Sequence, residues 1–337
     1  MARWTRIALA IIAALALLVL SMAWPLAPRD LKSNPRPAAS YEDGLALVNS
    51  LRGRDGSEIA ANCGTILHTH GHRTGQAIVL LHGLTNCPAQ FDSLGRLLHA
   101  RGANVLIPRL PEHGFANRMT DALAHMNAQE MCALTDLALD AAHGLGDTVT
   151  VVGLSIGGVL AGWAGQERAD VHRAVMIAPI FGVARAPGGW TPVVTRMALT
   201  LPNQFVWWDD KSREELAGPK HVYPRFSTRS IAATLYVGAA TRDEAAHRAP
   251  ACREMVMITV GGDIAADNSM CAEIMRNWRA RGATMLTEYE FPDSLKLNHD
   301  VVDPEQVGGN PALTYPILTR FILPESPDGL GPTRESH

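Results

Sequence analysis

Two hydrophobic rhythms alternate along this chain between residues 41 and 323. Short, nearly continuous apolar runs occur at Ala77–Leu81, Asn104–Ile107, Val149–Val152, Ala174–Ile177 and Glu254–Val260, and a last, more mixed strand segment at Met285–Tyr289. Runs of that length, rich in β-branched residues, predict strands buried on both faces. Between them lie stretches whose apolar residues recur three and four positions apart, as with Leu45, Val48 and Leu51. That spacing predicts helices at Tyr41–Arg52, Phe91–Ala100, Ala128–Leu145, Ile156 to about Arg168 and around Ile317–Ile322. Gly102 and Gly146 supply stop signals. Thr65–His68 reads as an edge strand. Strands that alternate with helices predict an α/β fold, a doubly wound and mostly parallel sheet with sites at the strands' carboxyl ends.

Two stretches break the rhythm. From about 180 to 251 the chain carries Pro187, Pro192, Pro202, Pro219 and Pro224 with the aromatics Trp190, Trp207 and Trp208. An interval this long inside a compact domain is usually functional, and it predicts a cap or lid over the sheet's active edge. At the other break, Arg3 and Arg6 precede an apolar run from Ile7 to Trp24 interrupted only by Ser21. Residues 1–24 therefore predict a single-pass membrane anchor held through residues 7–24, with Trp24 at the interface. The small residues around Ser21-Met22-Ala23 also fit a cleavable signal peptide. The charge count nearly ties, because Arg3 and Arg6 oppose Arg29, Lys32 and Arg36. A short basic leader favours export, so the expectation is an extracytoplasmic catalytic domain, secreted or periplasmic if the segment is cleaved. Residues 25–40, with Pro25, Pro28, Pro35 and Pro37, read as a stiff linker. Residues 41–323 form the main domain, and the polar Pro- and Gly-rich tail 324–337 is predicted to be disordered.

Composition narrows the function classes. The chain has 337 residues, 47% of them hydrophobic and 19% charged, which is ample for one large core. A formal net charge of −3 gives no basic footprint for nucleic acid. Five cysteines at 63, 87, 132, 252 and 271 show no metal-ligand spacing. An exported domain allows Cys63 to pair with Cys87 across the first clear core strand, and the odd count leaves a thiol free.

The candidate chemistry centres on Gly153-Leu154-Ser155-Ile156-Gly157, between a predicted strand and a predicted helix. This is the pattern of a nucleophile elbow, whose tight turn presents one serine hydroxyl at the sheet edge. By chance the same five residues would leave Ser155 an ordinary helix N-cap. A serine hydroxyl is a poor nucleophile until a base takes its proton and a third group orients that base. Of 13 histidines, His299 stands out, because it follows the last predicted strand and precedes the final helix. His172, His221 and His247 fall near a helix end or in the lid interval. Asp263 closes the strand before it, through Gly261-Gly262, and is the expected acid. Asp267 is the alternative, with helix capping as its other role. Asp243 lies in the insertion, and Asp300 adjoins the histidine too closely in the chain to face it. An oxyanion site needs two preorganised donors: the Ile156 backbone N–H, and an N–H from the loop after Leu81, expected at Leu84.

With these residues placed, the chain resembles the α/β-hydrolase superfamily, and most nearly its monoacylglycerol lipase, carboxylesterase and serine aminopeptidase-like branch. The resemblance covers roughly Ala77 to Ile322. It rests on His82-Gly83-Leu84, on Pro108 through Gly114 (Pro-Arg-Leu-Pro-Glu-His-Gly), on Gly153–Gly158, on Asp263 and on His299-Asp300. It implies a serine hydrolase acting on a small carboxylic ester, with no metal and no organic cofactor, and a structural role for His113. The apolar anchor and Phe205, Val206, Trp207 and Trp208 of the lid interval point to a hydrophobic, lipid-like substrate, and His82 reads as a structural hydrogen-bonding residue of its turn. Family members often carry a bulky aliphatic residue shortly after the acid, where this chain has Ala265-Ala266. An amide or peptide bond as substrate remains an alternative, as does a non-catalytic binding protein on the same fold. Dehalogenase and epoxide hydrolase relatives carry an aspartate at the elbow, so Ser155 argues against both.

Overall fold

The structure is a computed structural model that describes residues 2–23, 26, 28, 30–184, 190–210, 213 and 218–323. Nine strands are described in it: β1 (Ile66–His68), β2 (Thr74–Leu81), β3 (Asn104–Ile107), β4 (Gly146–Leu154), β5 (Arg173–Ile177), β6 (Phe205–Trp207), β7 (Arg225–Ser227), β8 (Glu254–Val260) and β9 (Leu286–Phe291). The described helices are α1 (Ala2–Ala23), α2 (Tyr41–Arg52), α3 (Ala89–Ala100), α4 (Ala128–Leu145), α5 (Ile156–Glu167), α6 (Thr191–Thr200), α7 (Thr228–His247), α8 (Asn268–Ala280) and α9 (Pro311–Ile322). Seven strands form one sheet in the order β1-β3-β2-β4-β5-β8-β9, and all neighbours run parallel except β1, which is antiparallel to β3.

The continuous apolar runs split by period two. In β2, Ala77, Val79 and Leu81 join the cluster that holds Leu139 of α4, Trp163 of α5, Val237 of α7 and Trp278 of α8. Ile78 and Leu80 face the opposite layer, against Phe91 and Leu98 of α3 and Leu318 of α9. The inner strands β2, β3, β4, β5 and β8 are therefore buried on both faces, which explains why their sequences do not alternate, whereas the edge strand β9 keeps Thr287, Glu288 and Glu290 exposed. Because β3 and β4 flank β2 on opposite sides, the chain switches direction there, and in open sheets of this kind sites form beyond the carboxyl ends of the strands at such a switch.

Helix termini match the capping chemistry of the sequence. Ser40 caps α2 by accepting the Asp43 N–H, and Asn127 caps α4 by accepting the Glu130 N–H. The final helix begins at Pro311, earlier than its apolar spacing suggests, because Asn310 caps it and proline is tolerated in a first turn.

Two expectations need correction. First, the interval 180–251 is not one lid: α7 places Ala233, Val237 and Ala240 in the main core beside α5 and α8. The segment ahead of it carries a separate small antiparallel pair of β6 with β7. Second, no helix among the described residues is long and apolar enough to cross a membrane. The apolar part of α1 begins only after Arg6, and Ile7–Ala23 spans about 25 Å at ~1.5 Å per residue, short of the ~30 Å hydrocarbon core. This overturns the single-pass anchor, and with it the membrane contact through residues 7–24 and the location inferred from them. Trp24, Pro25, Arg29, Pro187 and the tail 324–337, on which parts of those expectations fell, lie outside the described residues.

Cys63 and Cys87 form a disulfide, with Cα atoms 5.2 Å apart, while Cys132, Cys252 and Cys271 are free and buried.

Candidate active site

Ser155 sits between β4 and α5 with φ 60° and ψ −114°, a conformation L-residues rarely adopt. Its backbone is gripped on both sides. The Ser155 N–H donates to Ile177 O at 2.9 Å, and its carbonyl accepts the Val159 N–H at 3.1 Å. The turn is tight enough that a Cβ on Gly153 would lie 1.9 Å from Gly157 O, and one on Gly157 would lie 2.0 Å from Leu81 O. Both glycines are obligatory for this approach. Ser155 occupies the N-cap position of α5, yet its side chain makes no capping hydrogen bond, so the ordinary cap reading does not apply.

The loop beyond β9 carries His299, whose Nδ1 lies 2.7 Å from Asp263 Oδ2. Asp263, in the turn after β8, has a fully buried side chain, and its Oδ1 accepts the Ala265 and Ala266 N–H groups at 2.7 and 3.1 Å. Burial by itself pushes this carboxyl up, but the His299 hydrogen bond and charge, together with the two amides, override it and hold it below the usual carboxylate range. His299 Nε2 is buried and makes no hydrogen bond to a described residue. The structure thus brings Asp263 and His299 together, while the Ser155 hydroxyl and His299 are not hydrogen-bonded to one another. Asp267 instead caps α8 by accepting the Ser269 N–H at 3.0 Å. His172 pairs with Glu254, and His247 lies on the exposed side of α7 near Asp243.

Ile156 is the first residue of α5, so its N–H is one of the helix's free donors. Leu84 follows β2, in the loop 82–88. Its amide direction is set indirectly, since Gly83 O accepts from His82 Nδ1 at 3.0 Å and from the Asn86 N–H at 3.3 Å. In a trans peptide the Leu84 N–H points opposite to that carbonyl. His82 Nε2 in turn accepts the Leu110 N–H at 3.0 Å, which fixes the neutral tautomer. Burial pushes the His82 imidazole well below its ordinary pKa, and the neighbouring His113 adds to this. His113 is fully buried, its Nδ1 lies 2.7 Å from Pro111 O, and burial lowers it to about 4. Both histidines are held neutral as parts of the scaffold.

Three features escaped the sequence reading. Thr85 is a buried β-branched residue at φ 66°, and its hydroxyl accepts from Trp208 Nε1 at 2.9 Å while donating to Leu84 O at 2.6 Å. Tyr223 adds a backbone bond to Thr85 O at 2.8 Å. The segment before α7 is therefore fastened to the loop that carries Leu84. The same segment is tied to the histidine loop by a buried contact of His221 Nε2 with Asp303 Oδ2 at 2.8 Å. Finally, Gln90, on the first turn of α3, touches both the Gly83 amide and Asp300. A glutamine in a helix's first turn carries no sequence signal of such a role.

The sequence model of the Alpha/beta hydrolase family matches residues 78–305. No curated protein matches the chain by sequence. Among solved structures, a metagenome-derived lipolytic enzyme of the LipS and LipT pair is similar, with a TM-score of 0.56 and 19% identity over 78% of this chain and 98% of that one. A monoacylglycerol lipase from Paleococcus ferrophilus has a TM-score of 0.57 and 15% identity, covering 77% of this chain and 98% of its own. A soluble variant of the monoglyceride lipase from Saccharomyces cerevisiae, solved with a substrate analogue, has a TM-score of 0.57 and 12% identity, over 77% of this chain and 90% of that one. At such identities the likeness is one of fold.

Proposed function

The chain belongs to the alpha/beta hydrolase family, and on that premise we propose that it is a serine hydrolase cleaving carboxylic esters through an acyl-serine intermediate. The observation that carries this reading is the 2.7 Å contact between His299 and Asp263, which leaves the other imidazole nitrogen buried and unpartnered. Ester bonds are the proposed substrate because lipolytic enzymes and monoacylglycerol lipases share the fold.

In the first half-reaction, Ser155 Oγ attacks the ester carbonyl carbon as its proton passes to His299 Nε2. Charge develops on the carbonyl oxygen and is taken up by the Leu84 and Ile156 N–H groups. One such donor is worth about 3–4 kcal/mol of transition-state stabilisation. The positive end of α5 adds to the field at the same point. Collapse breaks the bond to the leaving oxygen, which takes the proton from His299 and departs as an alcohol. In the second half, a water gives its proton to Nε2 and attacks the acyl-serine. The acid is released, and Ser155 recovers its proton. Asp263 holds the imidazole tautomer throughout and stabilises the imidazolium without taking the proton. These side chains and amides suffice, so the mechanism calls for no metal or organic cofactor.

A hydrophobic acyl group is the proposed preference. Trp208 and Phe226, with ring centroids 4.4 Å apart, and the exposed Val206 lie in the segment fastened to the Leu84 loop. Apolar side chains beside that loop suit an alkyl or aryl chain.

Labelling with a fluorophosphonate tests the nucleophile: the wild type is labelled and Ser155→Ala is not. A p-nitrophenyl ester chain-length series run beside aminoacyl-p-nitroanilides tests the bond. Turnover of the anilides alone replaces the ester assignment with amide hydrolysis, and an unlabelled wild type leaves a binding protein on a hydrolase fold.

A further inference from the structure

The loop carrying Leu84 follows β2 and the loop carrying His299 follows β9, three strands further along the sheet beyond β4. One side chain joins them. Gln90 is 2% exposed, its Oε1 accepts the Gly83 N–H at 2.7 Å, and its Nε2 donates to Asp300 Oδ2 at 2.6 Å. The other Asp300 oxygen accepts the Val302 and Asp303 N–H groups, both at 3.0 Å. Every polar atom in this bridge therefore has a partner, and each partner admits only one orientation of the Gln90 amide. The bridge also lies beside the nucleophile. A Cβ built on Gly83 would stand 3.5 Å from both Gln90 amide atoms and 3.6 Å from Ser155 Cβ. Burial pushes the Asp300 carboxyl up, and the amide donors of Asp303, Gln90 and Val302 offset this only in part. Such a group is sensitive to the identity of the atom that faces it.

We propose that Gln90 is a positioning residue for the hydrolase reaction, locking the oxyanion loop and the histidine loop in mutual register through Gly83 and Asp300. The inference rests on the roles proposed above for Ser155, His299 and Leu84. Gln90 acts through the peptide that leads to the Leu84 amide and through the residue beside His299. A displacement of either loop by about 1 Å costs on the order of 100-fold in rate while leaving ground-state binding largely intact.

Reversal of the bridge's polarity provides the test. Gln90→Glu keeps an acceptor for Gly83 but sets carboxylate against carboxylate, so kcat falls about 100-fold at neutral pH with KM within about twofold. Its rate relative to wild type recovers as pH falls, because one proton shared between the two carboxyls restores the hydrogen bond. Asp300→Asn turns one NH2 group toward another and shows a similar fall with no acid recovery. The double variant Gln90→Glu/Asp300→Asn satisfies every group again with donor and acceptor exchanged, and its kcat returns to within about threefold of wild type. Rates are normalised to the fraction of protein labelled by fluorophosphonate, which removes any difference in folded fraction. Single variants with wild-type kcat overturn the inference, as does a double variant that is unfolded or no faster than the slower single. If a single variant fails to fold, the folded double variant's rate decides. An unlabelled wild type removes the underlying hydrolase reading and the inference with it, whereas a labelled wild type with indifferent Gln90 variants removes the inference alone.

Discussion

Asp263 meets His299 Nδ1 with one carboxylate oxygen at 2.7 Å and takes the Ala265 and Ala266 amides with the other. The carboxylate cannot rotate without losing a bond, so the imidazole orientation is set from the turn after β8. Asp263→Asn offers an NH2 group to Nδ1 and favours the wrong tautomer, and kcat is expected to fall about 10⁴-fold with little change in KM. Because the folded carboxyl is held below its usual range, its contribution to stability is present above about pH 4 and lost as pH falls through the folded value. Denaturation midpoints of Asp263→Asn should accordingly show a shallower acid limb than wild type.

A second pH effect sits in a different window. His113 is buried neutral, with its folded value lowered to about 4. The unfolded chain binds a proton near pH 6.5 that the folded chain refuses, so stability falls as pH drops from about 6.5 toward 4, by about 3 kcal/mol from this residue. Chemical denaturation at four pH values across that window should show the slope, and His113→Gln should flatten it. An unchanged slope in the variant would assign the loss to other groups.

The Cys63–Cys87 bridge closes a separation of 24 residues and ends in the loop that carries Leu84. Chain-entropy arguments put the stabilisation at about 3 kcal/mol, lost on reduction or in Cys63→Ser/Cys87→Ser. Thermal unfolding with and without reductant measures it, and the double serine variant should be indifferent to reductant.

Trp208 Nε1 donates to the hydroxyl of Thr85, which is held at φ 66°. Trp208→Phe keeps an aromatic ring and deletes the donor. A single neutral hydrogen bond is worth about 1 kcal/mol, so kcat/KM toward esters should drop about fivefold, with the chain-length preference retained. A changed preference at unchanged rate would place Trp208 in the acyl pocket rather than in the support of the loop.

The sheet was legible in the sequence because burial on both faces writes itself as runs such as Ala77–Leu81 and Val149–Val152. The elbow was legible because its glycines are forced by contacts below 2.1 Å. The contact between His299 and Asp263 was anticipated by order along the chain, since each follows a strand that ends at the same edge. The bonds among Gln90, Asp300, Thr85, Trp208, His221 and Asp303 were not, because they pair residues from loops far apart in sequence whose types are ordinary at each position. The N-terminal run misled for a related reason. Hydropathy counts apolar residues, whereas a span needs enough of them in one helix, and the arginines occupy the start of α1. Within 180–251, the prolines and tryptophans of the first half masked α7, whose small residues Ala233 and Ala240 pack into the core.

The strained backbone at Ser155 also divides the interests of folding from those of activity. With φ 60° and ψ −114°, this residue opposes the native state, by about 1–3 kcal/mol, and the strand, the helix and the two glycines around it hold it there. Ser155→Gly should therefore unfold at a higher temperature than the wild type while losing all fluorophosphonate labelling. Stability and the chemistry proposed for Ser155 therefore pull this one position in opposite directions: the residue that would best relax the turn is the one that cannot attack an ester.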